Sequence, residues 1–185
     1  MDPSLIIFAA VIFVPLLFVI LQYNQLVGLR NYIRNSWSNI DTELKRRYEL
    51  IPNLVETVKG YAAHEREVFE KVAELRARCI ANHGPPVEQA SDERLLVGEL
   101  QRLFAVVENY PELKADGRFA DLQRELVNTE DRIQAARRFY NGNVRDYQVK
   151  IESFPSNLIA GMFNFGPVEY FSVEPSVRDV PNVDL

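Results

Sequence analysis

From Leu5 to Leu21 the chain reads LIIFAAVIFVPLLFVIL, seventeen residues without a charged or polar side chain. A helix apolar on every side needs either a deep protein core or lipid around it. At a rise of about 1.5 Å per residue the run spans close to 26 Å, slightly less than the roughly 30 Å hydrocarbon core of a bilayer. The following turns, 22–29, mix Tyr23, Leu26, Val27 and Leu29 with polar groups, so they extend the apolar length and set Tyr23 at headgroup depth. Pro15 removes one backbone donor in mid-span, which membrane helices tolerate.

A cleaved secretory signal fits this segment less well than an anchor. It has no positive n-region, it is longer than the usual apolar stretch of a signal, and no small-x-small site precedes Gln22. Asp2 is the only charged residue before the run, whereas Arg30, Arg34, Lys45, Arg46 and Arg47 come after it. The positive-inside rule therefore predicts an outer N-terminus and a cytoplasmic domain, the topology of a bacterial-type single-pass membrane protein.

Beyond the anchor, apolar positions fall at Leu26, Leu29, Ile33, Trp37, Ile40, Leu44, Tyr48 and Ile51, an eleven-residue repeat. Its period of about 3.67 suits a straight or slightly right-handed helix, so the membrane helix is expected to run into the domain without a linker and to end at Pro52. A second helix carries Leu54, Val58, Tyr61, Ala62, Val68, Phe69, Val72, Leu75 and Cys79 on one face, and a loop covers His83 to Ala90. Ser91 or Asp92 can cap a third helix that Pro111 closes. After a turn at Asp116 and Gly117, a fourth helix runs to Pro155 with its stripe on Phe119, Leu122, Leu126, Thr129, Ile133, Ala136 and Tyr140. A four-residue step to Val144 makes a coiled-coil stutter before Tyr147 and Ile151.

The economical architecture is all-α: a transmembrane helix continuing into an antiparallel four-helix bundle, then an irregular tail. The expected divisions are an outer N-terminus (1–4), a membrane helix (5–21, extending to about 29), a helical domain (22–153) and an aromatic, proline-bearing tail (154–185). In such a bundle the fourth helix returns toward the bilayer. Tyr23, Phe154, Phe163, Phe165, Tyr170 and Phe171 thus become membrane-interface candidates, with capping of the open bundle end as the other reading.

No constellation of catalytic residues stands out. His64 and Glu65 begin a zinc-protease pattern, but Val68 stands where the second histidine belongs, and Tyr61 stands where a bundle di-iron site needs glutamate. His83 sits in the proline-rich loop, and neither a phosphate-cradling glycine loop nor a nucleophile elbow is present. Cys79 falls on an apolar face and reads as core filling, while Glu65, Glu67, Glu70 and Glu74 beside Arg66, Lys71 and Arg78 read as a solvated surface. A site assembled from Glu108, Tyr110, Tyr140 and Tyr147 is the one enzymatic alternative, and it is the weaker reading. No metal or cofactor is expected. A net charge of -5 with no basic stripe argues against nucleic acid. Lys45, Arg46 and Arg47 lie about 24 residues past Leu21, some 36 Å from the membrane, at a distal tip that is either partner-facing or solvated.

Several runs together resemble the LemA family of bacterial membrane proteins: YNQLVGLRN from Tyr23 to Asn31, RRYELIPNLVETVKGYAAHE from Arg46 to Glu65, AVVENYPELKA from Ala105 to Ala115, LQRELVNTEDRIQAARRFYN from Leu122 to Asn141, and KIESFPSNLIAG from Lys150 to Gly161. Gln148 and Val149 depart from the family's usual Asn-Thr, and the stretch from Ala81 to Arg94 is individual. The resemblance implies an inner-membrane anchor with the domain in the cytoplasm, a helical bundle, no established enzyme activity, and a membrane zinc metalloprotease or other membrane protein as partner. The residues and the resemblance together lead to a non-enzymatic scaffold that self-associates as a homo-oligomer on the lipid bilayer. The alternative is an adaptor or regulator of a membrane protease or envelope-stress pathway.

Overall fold

The computed structural model describes residues 3–172, and in the first ten residues it describes the side chains of Ser4 and Phe8 only. The described residues form six helices, α1 (Pro3–Lys59), α2 (Arg66–Ala81), α3 (Pro86–Val107), α4 (Pro111–Lys114), α5 (Gly117–Glu152) and α6 (Ser156–Met162). Among the described residues there is no strand. The segment Glu174 to Leu185 of the expected tail lies outside the described residues.

α1 is a single helix of 57 residues, so the apolar run and the amphipathic stripe lie on one element, as the repeat predicts. It is long and apolar enough to cross a membrane. The expected end at Pro52 is wrong: the helix carries on to Lys59. An interior proline costs about 3 kcal/mol, whereas Ile51, Leu54 and Val58, all essentially inaccessible to solvent, each gain about 1.5–3 kcal/mol from burial. Tertiary packing outweighs the local penalty. The break comes instead at Gly60, where the Tyr61 and Ala62 amides both turn back to the Val58 carbonyl at 3.0 and 2.9 Å.

Other boundaries move for equally local reasons. α3 starts at Pro86, where the missing proline N–H costs nothing in a first helical turn, so the loop expected up to Ala90 shrinks to a few residues. Asn82 braces that turn by accepting from the Gly84 amide at 2.8 Å. Asp92, expected as a cap, is buried in mid-helix and pairs with Arg78 of α2 at 2.5 Å. Pro111 opens α4 and does not close α3. Asp116 caps α5, its Oδ1 accepting from the Arg118 and Phe119 amides at 2.7 and 3.0 Å.

The tail, expected to lack helix, forms α6 and ends it with a Schellman turn. Asn164 takes the left-handed conformation (φ 55°), and the Phe165 amide donates to the Ala160 carbonyl at 2.9 Å. That 6→1 bond aims Phe165 inward beside Ala160, and both are buried.

The chain forms two compact units. One comprises residues up to 39 with 138–168. In it, Leu26 and Ile33 of α1 and Tyr140, Val144 and Tyr147 of α5 form the core, so the stripe continues across the stutter. Trp37 meets Tyr140 edge to face at 5.4 Å, and the Tyr147 hydroxyl donates to the Gly166 carbonyl at 3.0 Å. Gln148, which departs from the family pattern, still makes a polar contact by donating to the Val168 carbonyl at 2.9 Å.

The second unit comprises 40–137 and the residues from 169 onward. It draws its core from the second half of α1, from α2 to α4 and from the first half of α5, including Ile51, Phe69, Val72, Leu96, Leu103 and Leu126.

Candidate functional site

In the first unit, Tyr23 is the hinge of an aromatic cluster. Its ring meets Phe163 edge to face at 4.8 Å and Phe165 at 5.7 Å, and the Arg30 guanidinium lies 4.9 Å from the Phe165 ring centre. A cation held over a shielded ring contributes about 0.5–2 kcal/mol. Phe165 is buried in this cluster, Tyr23 and Phe163 stay partly exposed, and Phe154 is 79% exposed in the turn before α6. Tyr23, Phe163 and Phe165 are thus brought together two residues beyond the end of the apolar run.

Tyr170 and Phe171 belong to the other unit. Phe171 is an interior residue with its ring 5.3 Å from the Arg137 guanidinium, which corrects its reading as a membrane-interface residue. Burial shifts the Arg137 pKa downward, and the ring supplies a polarisable surface for its charge.

The basic tip is also corrected. Lys45 and Arg46 remain on the surface, paired with Asp41 at 2.8 Å and Glu43 at 3.6 Å. Arg47 is 1% exposed. Its guanidinium bridges Glu93 of α3 and Glu130 of α5, the latter at 2.7 Å, and the Tyr48 hydroxyl donates to the other Glu93 oxygen. Arg76 of α2 closes the ring of contacts by donating to the Tyr48 carbonyl at 2.7 Å. The sequence held a signal for this: with Leu44, Ile51, Leu54 and Val58, position 47 completes a 3-4-3-4 stripe that faces inward. Reading the three basic residues as one cluster hid that phase.

Beside Arg47 lies a cleft of about 200 Å³ lined by Leu44, Glu93, Glu130, Ile133, Arg137 and Phe171 among others. Arg47, Glu93 and Glu130 answer one another beside it, which makes the network a positioning device between α1, α3 and α5. Burial pushes the Tyr48 hydroxyl well above its ordinary range and the Cys79 thiol up to about 11. Cys79 is therefore a neutral core residue at physiological pH.

The residues of the weaker enzymatic reading are divided between the two units. Glu108 sits on the surface paired with Lys114, while Tyr140 and Tyr147 are core residues of the other unit. Among the described residues no three His, Cys, Asp or Glu side chains converge as metal ligands.

Such a chain is a helical protein with one long apolar N-terminal helix and a buried ion network that joins α1, α3 and α5. The LemA family model matches residues 36–185, and the chain belongs to the LemA family. It is similar to the magnetosome proteins MamQ 1 and MamQ 2 of Paramagnetospirillum magneticum, each 27% identical across 85% of this chain and 67% of the relative. It is also similar to protein LemA of Metamycoplasma hominis, 29% identical across 88% of this chain and 74% of the relative.

Proposed function

We propose that this LemA-family chain is a single-pass membrane protein that acts as a non-enzymatic scaffold, self-associating at the cytoplasmic face of the bacterial inner membrane. One observation carries the membrane part. Phe8, Val11, Ile12, Phe13, Val14, Leu16, Leu17, Phe18, Ile20 and Leu21 are all substantially exposed, and at 100° per residue they cover the whole circumference of α1. A helix apolar all round, on which little of the described chain packs, needs lipid.

The scaffold part is supported by the length of α1 and by charged groups that satisfy one another inside the second unit. In this reading α1, α2, α3 and α5 are the four members of an antiparallel bundle. The contacts Arg47–Glu93, Arg47–Glu130, Arg78–Asp92 and Arg76 to Tyr48 support that arrangement.

Light-scattering mass of the full chain, extracted in mild detergent with its co-purifying proteins, tests the proposal. A discrete closed oligomer is the expected result. A monomer bound to a membrane protease would replace it with the adaptor reading. Orientation is tested by cysteines at Ser4 and Glu67: an impermeant thiol reagent should label S4C, and not E67C, in cells with the outer barrier opened.

A further inference from the structure

α6 lies in an uncharged stretch of the sequence: from Ser153 to Val168, sixteen residues carry no Asp, Glu, Lys or Arg, in a chain whose residues are one-quarter charged. Its inner face is accounted for, since Ser156, Ile159 and Ala160 are buried at the i, i+3, i+4 spacing of one helical side. On the opposite side, beside Asn157 and Gly161, two large apolar residues face outward. Leu158 is 58% and Met162 71% exposed, flanked by Phe154 and Phe163 at 79% and 46%. Single exposed apolar residues are ordinary on any protein, but four adjoining ones in an uncharged segment form a surface suited to an apolar neighbour.

The position of that surface within its unit selects the neighbour. Phe163 packs on Tyr23, which follows the last residue of the apolar run by two positions, about 3 Å along the helix axis. The run itself falls roughly 4 Å short of a typical hydrocarbon core, so the bilayer draws the level of Tyr23 toward its boundary. A ring attached to Tyr23 at that level lies in the zone where aromatic and apolar groups gain from partial immersion.

We propose that the outer face of α6, Leu158 and Met162 with Phe154 and Phe163, is a lipid-contact surface that rests at the headgroup–hydrocarbon boundary beside the anchor. The proposal rests on the reading of α1 as a membrane anchor. It assigns a second, lateral membrane attachment to the C-terminal segment. Because the face carries no charge, the contact needs no anionic lipid and is insensitive to salt.

The test uses the full chain in zwitterionic phosphatidylcholine nanodiscs. Trp37 is replaced by Phe, and single tryptophans are introduced as F13W, F154W, L158W, M162W and, for a surface position of the other unit, L95W. The lipids carry a quenching spin label either near the headgroup or near the chain end. The expected result is that the shallow label removes most of the emission of L158W, M162W and F154W, the deep label that of F13W, and neither that of L95W. Loss of quenching at 154, 158 and 162 with F13W still quenched overturns the proposal and leaves the anchor standing. An unquenched F13W overturns both. F154W lies in the turn outside α6, so it reports even if a tryptophan within the helix disturbs folding.

Discussion

Around residues 11–21, α1 turns Val11, Phe13, Val14 and Leu21 outward, whereas around residue 47 the same helix turns an arginine inward. Both regions break the rule that apolar side chains go inside and charges outside, in opposite directions. In the first the backbone is helical throughout, with only the Pro15 donor missing, and the side chains lack a solvent that suits them, so the surroundings must change. In the second the solvent is water and the protein supplies what water would have: two carboxylates for Arg47, and a phenol and a guanidinium for Glu93. Exposed grease marks where another phase begins. A buried charge marks where several elements must meet in one geometry.

The largest effect should come from placing charge in the first region. Val14→Asp with Leu17→Asp costs about 3 kcal/mol per aspartate at the centre of a span. Membrane fractionation should then show the chain leaving the bilayer, with hydrogen-exchange protection of α2 and α3 unchanged. Full membrane retention would break the comparison at its first half.

The second region is probed by Arg47→Met, which leaves Glu93 and the Tyr48 hydroxyl buried without their cation. A loss of about 3–5 kcal/mol is expected from urea unfolding of the full chain in detergent. Adding Glu93→Gln should return part of that loss, because the stranded charge is what costs most. A loss below about 1 kcal/mol would mean that water reaches Arg47 and the network is a surface feature.

A smaller effect is set by pH. The Cys79 thiol rises from 9.0 in the open chain to about 11 when folded, because burial penalises the thiolate. An acid whose folded pKa is raised contributes stability that is complete below the lower value and is lost as pH climbs through the higher one. Melting temperature should thus fall between pH 9 and 11, and Cys79→Ala should flatten the fall. An identical slope in the variant would assign the decline to other groups.

The smallest effect sharpens the contrast within a single helical turn. Lys45, two residues from Arg47, holds Asp41 at 2.8 Å with both side chains more than half exposed. Lys45→Ala should change stability by no more than about 0.5 kcal/mol in the same unfolding assay. A cost near that of Arg47→Met would show that position along the chain, and not burial, sets the energetics.

The sequence by itself determined what depends on local periodicity and composition. The apolar run, the eleven-residue stripe through Ile33, Ile40, Leu44 and Ile51 and the stutter to Val144 all follow from side-chain types at fixed spacing. The structure keeps each of them. The aromatic tail was also legible as a set, and Tyr23, Phe163 and Phe165 do meet.

Tertiary structure decided what depends on contacts between distant residues. Pro52 reads locally as a helix end, but the burial of Ile51, Leu54 and Val58 carries the helix past it. Arg47 reads as one of three surface cations until Glu93 and Glu130, 46 and 83 residues away, supply its partners. Phe171 reads with its aromatic neighbours until Arg137 takes it into the other unit. In each case the local preference is worth no more than a few kcal/mol. Desolvation and packing, which no single stretch of chain can report, are at least as large.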